Sequence, residues 1–237
     1  MTAPLLQLDG LSAWYGAAHI LFDIALEVGV GEVVALMGRN GAGKSTTLKA
    51  AMGMVEQRSG TVRLAGQDIS RWPPHAIARA GLGYVPEDRR IFTDLTVLEN
   101  LEVGRQPPRP GVEPWTPQRL FKLFPNLAEM PDRPGGRMSG GEQQMLTVAR
   151  TLMGNPHLVL LDEPSEGVAP VIVEGMVAMI QELKAQGVSI LLSEQNMHFA
   201  EWVSDRAYVL EKGQIRWQGT MADLAADDQV RRTFLSM

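Results

Sequence analysis

The run Gly38-Arg39-Asn40-Gly41-Ala42-Gly43-Lys44-Ser45 fits the pattern G-x-x-x-x-G-K-[ST], and the chemistry of that spacing is phosphate binding. The glycines let the backbone curl so that successive N–H groups and the following helix N-terminus face one phosphate. Lys44 adds a point charge, and the Ser45 hydroxyl can ligate Mg²⁺. Thr46, next along the helix start, joins the nucleotide-contacting candidates. Taken alone, the same residues also fit a glycine-rich turn that binds nothing. The apolar run Val33 to Met37 immediately before them supplies the buried strand that the binding reading requires.

A second apolar run, Leu158 to Leu161, ends in Asp162-Glu163. Ligands of an open α/β sheet gather at the carboxyl ends of such strands. Asp162 is there a candidate to hold Mg²⁺, directly or through water. Glu163 is a candidate to accept a proton from a water in line with a γ-phosphate. The bland alternative is a solvated strand end that caps the next segment. Between the two runs, Met138-Ser139-Gly140-Gly141-Glu142-Gln143-Gln144 contains a capping box, Ser139 to Glu142, that starts a helix. Its two glycines leave the first helical N–H groups uncovered, which suits an anion. A merely well-capped helix would read the same way.

These residues need a framework to hold them. Leu5 to Leu8 and Ile24 to Val28 read as strands with mixed faces. Thr61 to Leu64 with the turn Gly66-Gln67-Asp68 reads as a short antiparallel excursion, and Gly83 to Val85 as a strand closed by Pro86. Thr96 and Glu99 form a capping box that predicts a helix from Val97 to about Arg105. Five prolines between Pro107 and Pro117 exclude helix and central strand, so that segment is expected to be a loop. After the cluster Pro131 to Gly136, helical spacing resumes at Met145, Val148, Ala149 and Leu152 and stops at Asn155-Pro156. Val188 to Leu192 and Ala207 to Leu210 read as strands, and Ala222 to Leu235 as one helix. Strands alternating with helices predict an α/β fold with a parallel-sheet core, interrupted between about Glu87 and Asn155 by a mostly helical insert.

Composition narrows the classes. With 237 residues, 45% hydrophobic and 21% charged, the chain is expected to fold as one large α/β domain or two small ones. A net charge of −5 lacks the field that non-specific nucleic-acid binding needs, so no nucleic-acid partner is expected. The absence of cysteine excludes disulfides, thiolate zinc sites and cysteine nucleophiles. No apolar run approaches the roughly 18 residues of a membrane span, and Met1 to Gly10 shows no signal-peptide pattern, so an intracellular protein is expected.

Taken together, the motifs resemble those of the ATP-binding subunits of ABC transporters, whose signature L-S-G-G-[EQ]-Q is matched here except that Met138 replaces the leucine. The order of phosphate loop, signature and acidic strand also matches, and the resemblance covers nearly the whole chain. It implies an α/β P-loop NTPase cassette that binds ATP and Mg²⁺ and hydrolyses ATP. In that family the RecA-like parallel-sheet core and small antiparallel β part would span residues 1–87 and 155–237, and a helical subdomain carrying the signature would span 88–154. It implies further that two cassettes, identical or related, pack head to tail, so that Ser139, Gly140, Gly141 and Glu142 act in trans on nucleotide held by the other chain. Tyr15, in Trp14-Tyr15-Gly16, corresponds to the aromatic that stacks on adenine; a core or surface aromatic is the alternative. Integral membrane permease subunits and a peripheral place on the cytoplasmic face of the inner membrane complete what the resemblance implies.

Four stretches look like one of the two ATPase subunits of branched-chain amino-acid importers. They are Gly38 to Lys44, Val85-Pro86-Glu87-Asp88-Arg89-Arg90-Ile91-Phe92, Asp162-Glu163-Pro164-Ser165-Glu166-Gly167-Val168-Ala169-Pro170 and Ser193-Glu194-Gln195-Asn196. Closely similar subunits serve urea and short amides, so those solutes stay open, as does a non-transport ABC ATPase. DNA-repair members carry a long coiled coil between phosphate loop and signature, which the spacing from Lys44 to Ser139 does not hold. Translation factors carry two cassettes, and a small-molecule kinase needs a lid and an acceptor site.

Two positions depart from the wider family. Glu87 stands where most cassettes have a glutamine that senses magnesium, and Gln195 where most have a histidine on the γ-phosphate. A carboxylate at 87 can still face Mg²⁺, and the Gln195 amide can donate to a phosphate oxygen, though it cannot become a cation. His198, three residues along a predicted helix, is the alternative ring. His19, His75 and His157 read as surface or capping residues. No cluster has metal-ligand spacing, so the only metal expected is nucleotide-bound Mg²⁺.

Overall fold

A computed structural model describes residues 3–109 and 113–235. The chain opens with two long strands, β1 (Leu6–Tyr15) and β2 (Ala18–Val28), joined by a tight turn. Both are longer than the segments read from the sequence. A register shift between Leu8 and Leu11 changes the phase of β1, so Leu6 and Leu8 and then Leu11 and Ala13 face inward without one continuous alternation. β3 (Val33–Met37) leads into α1 (Lys44–Ala51); β4 (Gln57–Leu64) and β5 (Gln67–Asp68) follow, then α2 (Pro74–Ala80) and β6 (Leu82–Val85).

Among the described residues, four helices lie between β6 and the next strand, α3 (Val97–Gly104), α4 (Pro117–Leu123), α5 (Pro125–Ala128) and α6 (Gly140–Leu152), with a 3₁₀ turn at Gly135–Arg137. Both expected capping boxes are present: Thr96 with Glu99 starts α3, and Ser139 with Glu142 starts α6. The described part of the proline-rich segment has no regular structure as far as Thr116 and is pinned by Asn155. Its Oδ1 accepts from the Trp115 N–H at 2.7 Å and its Nδ2 donates to the Gln106 carbonyl at 3.0 Å. Pro117, expected in the loop, instead opens α4, where a first-turn proline loses no helical hydrogen bond. Residues 110–112, in the middle of that expected loop, lie outside the described residues.

The chain returns through β7 (Leu158–Asp162), α7 (Pro170–Ala185), β8 (Ser189–Glu194), α8 (Met197–Val203), β9 (Arg206–Glu211) and β10 (Gln214–Thr220), and then α9 (Met221–Ala226) and α10 (Asp228–Val230). The C-terminal segment departs from the single helix expected over Ala222 to Leu235. Asp227 leaves helical geometry at φ −92°, ψ 82°, ending α9, and its carboxylate accepts from the Val230 N–H to start α10; one wider turn, Arg231–Leu235, follows. The helices α2 and α7 and the strand β10 have no counterpart in the sequence reading. β10 is a half-exposed edge with little apolar contrast.

Four strands form an antiparallel sheet in the order β2-β1-β4-β5, and six form a mixed sheet in the order β10-β9-β3-β8-β7-β6. All neighbours in the second sheet are parallel except β10 on β9. The continuous apolar runs follow from this layering. Val33, Ala35 and Met37 of β3 face a core shared with α6, α7 and α8, whereas Val34 and Leu36 face a second core shared with α1 and the antiparallel sheet. β7 divides likewise, with Val159 and Leu161 on the first side and Leu158 and Leu160 on the second. The carboxyl ends of β3, β7 and β8 thus emerge side by side between two packed layers. No described helix is long and apolar enough to cross a membrane.

Candidate active site

The turn from β3 into α1 takes Gly41 to φ 79° and Gly43 to φ 111°, the left-handed region where a side chain is strained. Lys44, buried as the first residue of α1, folds its side chain back over this turn. Its Nζ donates to the Gly38 carbonyl at 2.8 Å and the Arg39 carbonyl at 3.2 Å, and lies 3.0 Å from Glu163 Oε1. Ser45 and Thr46 follow on the same first turn, half-buried. Asn40 and Gly41 are exposed on the outer rim of the loop, and Ala42 packs into the core.

At the end of β7, Asp162 is 1% exposed and both of its oxygens have donors. Tyr84 Oη donates to Oδ2 at 2.9 Å and Ser193 Oγ to Oδ1 at 2.7 Å. Burial and the neighbouring Asp162 charge push the Tyr84 hydroxyl well above its usual value, so it remains a donor to that carboxylate. Glu163 then leaves the strand with φ 46°, a left-handed conformation that costs a non-glycine residue on the order of 1–3 kcal/mol. Its N–H is held by Ser193 Oγ at 3.0 Å. Burial pushes the Glu163 carboxyl up, but a hydrogen bond with Glu166 and the bond and charge of Lys44 outweigh it and hold Glu163 below the usual carboxylate range. Glu166 moves the other way: the bond to Glu163, partial burial and the charges of Glu163 and Glu87 push it up to about 7.

Glu87, after β6, is exposed and its charge reaches Glu166, and Gln195, after β8, is also exposed. His198 has no hydrogen bond or ion pair to this cluster among the described residues. Its ring is exposed on α8 and lies 3.7 Å from Glu201 of the same helix. Tyr15, at the end of β1, is 51% exposed, which excludes the core alternative for this ring and leaves it free to stack. In the signature, Ser139 Oγ accepts from the Glu142 N–H at 3.3 Å and Glu142 Oε2 from the Ser139 N–H at 2.7 Å. A side chain at Gly140 would crowd the Arg89 guanidinium, and one at Gly141 would crowd Ile172. Among the described residues, no hydrogen bond or ion pair joins the signature to residues 38–46 of the same chain. The structure therefore joins Lys44 to Glu163, next to Asp162, and brings the Glu87 charge near Glu166, whereas Ser139 to Glu142 contact none of these side chains through a hydrogen bond or ion pair among the described residues.

Four residues of the site were given no role by the sequence reading: Tyr84, Glu166, Ser193 and Glu194. The last two had a signal. Ser193-Glu194 is a polar pair closing an apolar strand, the same arrangement that singles out Asp162-Glu163. Nothing local in the sequence reveals that Tyr84 reaches across from β6 to β7.

A glycine-curled loop at a helix start, with its lysine facing an acidic pair at the end of a parallel strand two places along the same sheet, is the site of a P-loop ATPase. The oxygen donors available, the Ser45 hydroxyl and the Asp162 and Glu87 carboxylates, are of the kind that Mg²⁺ prefers. The chain belongs to the ABC transporter family, which it matches over residues 21–166, and it is an ATPase. It is 42% identical to the high-affinity branched-chain amino acid transport ATP-binding protein BraG of Pseudomonas aeruginosa, over 98% of this chain and 99% of that one. It is 36% identical to the lipopolysaccharide export system ATP-binding protein LptB of Haemophilus influenzae, over 98% and 97%. Among solved structures, a nucleotide-free ATP-binding cassette from an ABC transporter superposes with TM-score 0.82 at 27% identity, covering 96% of this chain and 97% of the other. The ADP conformation of MJ1267, also an ABC transporter cassette, gives 0.79 at 27% identity, covering 98% of both.

Proposed function

We propose that this chain hydrolyses ATP to drive uptake of branched-chain amino acids. The observation that carries the solute is the 42% identity to BraG, against 36% to LptB over the same span. In this reading residues 1–87 and 155–237 form the nucleotide-binding core and residues 88–154 the helical subdomain. The chain works as a pair of cassettes against membrane permease subunits on the cytoplasmic face. A groove of about 550 Å³ between α2 and β6 on one side and α3 and α6 on the other suits a permease segment. Its walls present the half-exposed Phe92 and Val103 beside Arg90 and Arg150.

The residues divide the chemistry as their positions allow. Gly38 to Thr46 cradle the phosphates through backbone N–H groups, with Lys44 moving from its carbonyl and Glu163 contacts onto phosphate oxygens. Tyr15 stacks on the base. Ser45, Asp162 and Glu87 would hold Mg²⁺, which when bound neutralises charge that develops on the phosphates. Glu163, released from Lys44, takes the proton of the attacking water, and Gln195 donates its amide to the γ-phosphate. Ser139, Gly140, Gly141 and Glu142 present the α6 N-terminus to nucleotide held by the partner cassette.

The test is transport in vesicles containing the permease subunits and the cognate solute-binding protein. ATP-dependent uptake of labelled leucine, abolished by Glu163→Gln, is the expected result. Uptake of urea or a short amide in place of leucine, or extraction of lipopolysaccharide, would replace the solute assignment.

A further inference from the structure

We propose that Glu194 is a positioning residue for hydrolysis, a buried carboxylate that ties Gln195 and the segment after Glu163 into one unit. The proposal rests on the roles given above to those two residues. Glu194 ends β8 and is 2% exposed. Its Oε1 accepts from the Ser165 N–H at 3.1 Å, and its Oε2 from the N–H groups of Gln195 at 3.1 Å and Asn196 at 3.0 Å. Its backbone carbonyl accepts from the Gly38 N–H at 3.3 Å, the first residue of the phosphate loop. One residue therefore touches all three segments that carry the chemistry.

A carboxylate is a costly way to do this. Burying one without a cation is unfavourable, and no lysine, arginine or histidine pairs with Glu194 among the described residues. Burial accordingly pushes its carboxyl up, although the Ser165 hydroxyl and then the backbone donors oppose the shift. Helix capping does not require it, because Asn196 caps α8 through the Phe199 N–H at 3.2 Å. Local turn formation does not require it either, since Ser165 is 29 residues away in sequence. What needs an ionised carboxylate is the geometry: donors approach both oxygens from two different segments. An amide has one oxygen and one NH₂ group, so a glutamine would satisfy one segment and set donor against donor at the other. Glu194 thus sets where Gln195 stands relative to Glu163 without touching the reacting atoms.

The test is steady-state hydrolysis by Glu194→Gln, Gln195→Ala and the double variant, with ATP affinity and melting temperature measured on each. Glu194→Gln is expected to lower kcat by roughly 10-fold or more while KM for ATP stays within about 3-fold, the pattern of an interaction used only in the transition state. The double variant should be no more than about 2-fold slower than the slower single variant, because both lesions act through one group. Multiplying losses, or wild-type kcat in Glu194→Gln, would overturn the proposal. Wild-type turnover in Gln195→Ala would instead overturn the role of Gln195, and Glu194 would then be decided by its own single variant. Hydrogen exchange on the wild-type protein checks the contacts independently of any variant's folding. The amides of Ser165, Gln195 and Asn196 should exchange as slowly as those of β8, and rapid exchange at Ser165 would refute the link between the two segments.

Discussion

Lys44 Nζ sits 3.0 Å from Glu163 Oε1, with both side chains almost shielded from water. The phosphate-loop cation and the acid just past the end of β7, two strands along, are thus electrically one unit, and removing either leaves the other uncompensated. Lys44→Ala should weaken ATP binding and let the Glu163 carboxyl rise. Glu163→Gln keeps the shape and loses the base, so hydrolysis should fall at least about 10²-fold while ATP binding persists. In thermal or denaturant unfolding the double variant should show a coupling of about 0.5–3 kcal/mol between the two sites. Strict additivity in stability would show that the contact carries no net energy, and unchanged ATP affinity in Lys44→Ala would remove it from the phosphate site.

Glu166 gives the site a pH dependence whose sign is fixed. Its carboxyl is pushed up to about 7 from 4.5, so the folded protein holds that proton more tightly than the unfolded chain does. The stabilisation is complete below about 4.5 and is lost as pH rises through about 7. Glu163, held low, contributes with the opposite sign: its share is present above 4.5 and is lost as pH falls. Glu166→Gln should remove the first dependence, so the difference in melting temperature between wild type and variant should shift against the wild type from about pH 4.5 to 7. A difference that does not move with pH would rule out the shared proton.

Packing between α3 and α6 makes a prediction away from the chemistry. A Cβ at Gly104 would run into the Arg150 carbonyl of α6, with the Arg150 side chain 2.9 Å away. Gly104→Ala should cost about 1–3 kcal/mol as an overpacked contact. Gly175→Ala, within α7, meets only the flexible Met145 Cε at 3.3 Å and should be neutral or stabilising by up to about 1 kcal/mol. Denaturant midpoints of the two variants check this, and equal effects would mean that the helix crossing is looser than described.

The contrast between what was legible in the sequence and what was not follows the range of the interactions. Gly38 to Ser45, the capping box at Ser139 and the apolar runs of β3 and β7 are local patterns, each read from a few consecutive residues, and they lie where expected. The C-terminal helix broke because Asp227 can cap as well as continue, and composition cannot decide between the two. Tyr84 and Glu194 act across strands, through contacts that exist only once β6, β7 and β8 are in register. The opposed shifts of Glu163 and Glu166 come first from the hydrogen bond between them, and only the lowering of Glu163 draws further on Lys44, far away along the chain.

Gln195 is the residue proposed above to donate to the γ-phosphate, and its amide makes a prediction that a histidine would not. Its side chain is exposed, while its backbone is held by Glu194 at 3.1 Å, so the amide is free to meet a phosphate from a fixed base. Loss of one donor to a transition-state oxygen costs roughly 10²-fold in turnover, and Gln195→Ala should lose about that much with little change in ATP affinity. An amide does not titrate, so no acid-limb loss of activity should trace to this position. Gln195→His should introduce one near the histidine reference of about 6.5. His198 is exposed and lies against Glu201 on its own helix, so His198→Ala should keep wild-type turnover. Steady-state hydrolysis from about pH 5.5 to 8, bracketing that reference, compares the four proteins. If Gln195→Ala is near normal and His198→Ala is inactive, the γ-phosphate contact belongs to His198, and α8 must turn its exposed face toward the site during turnover.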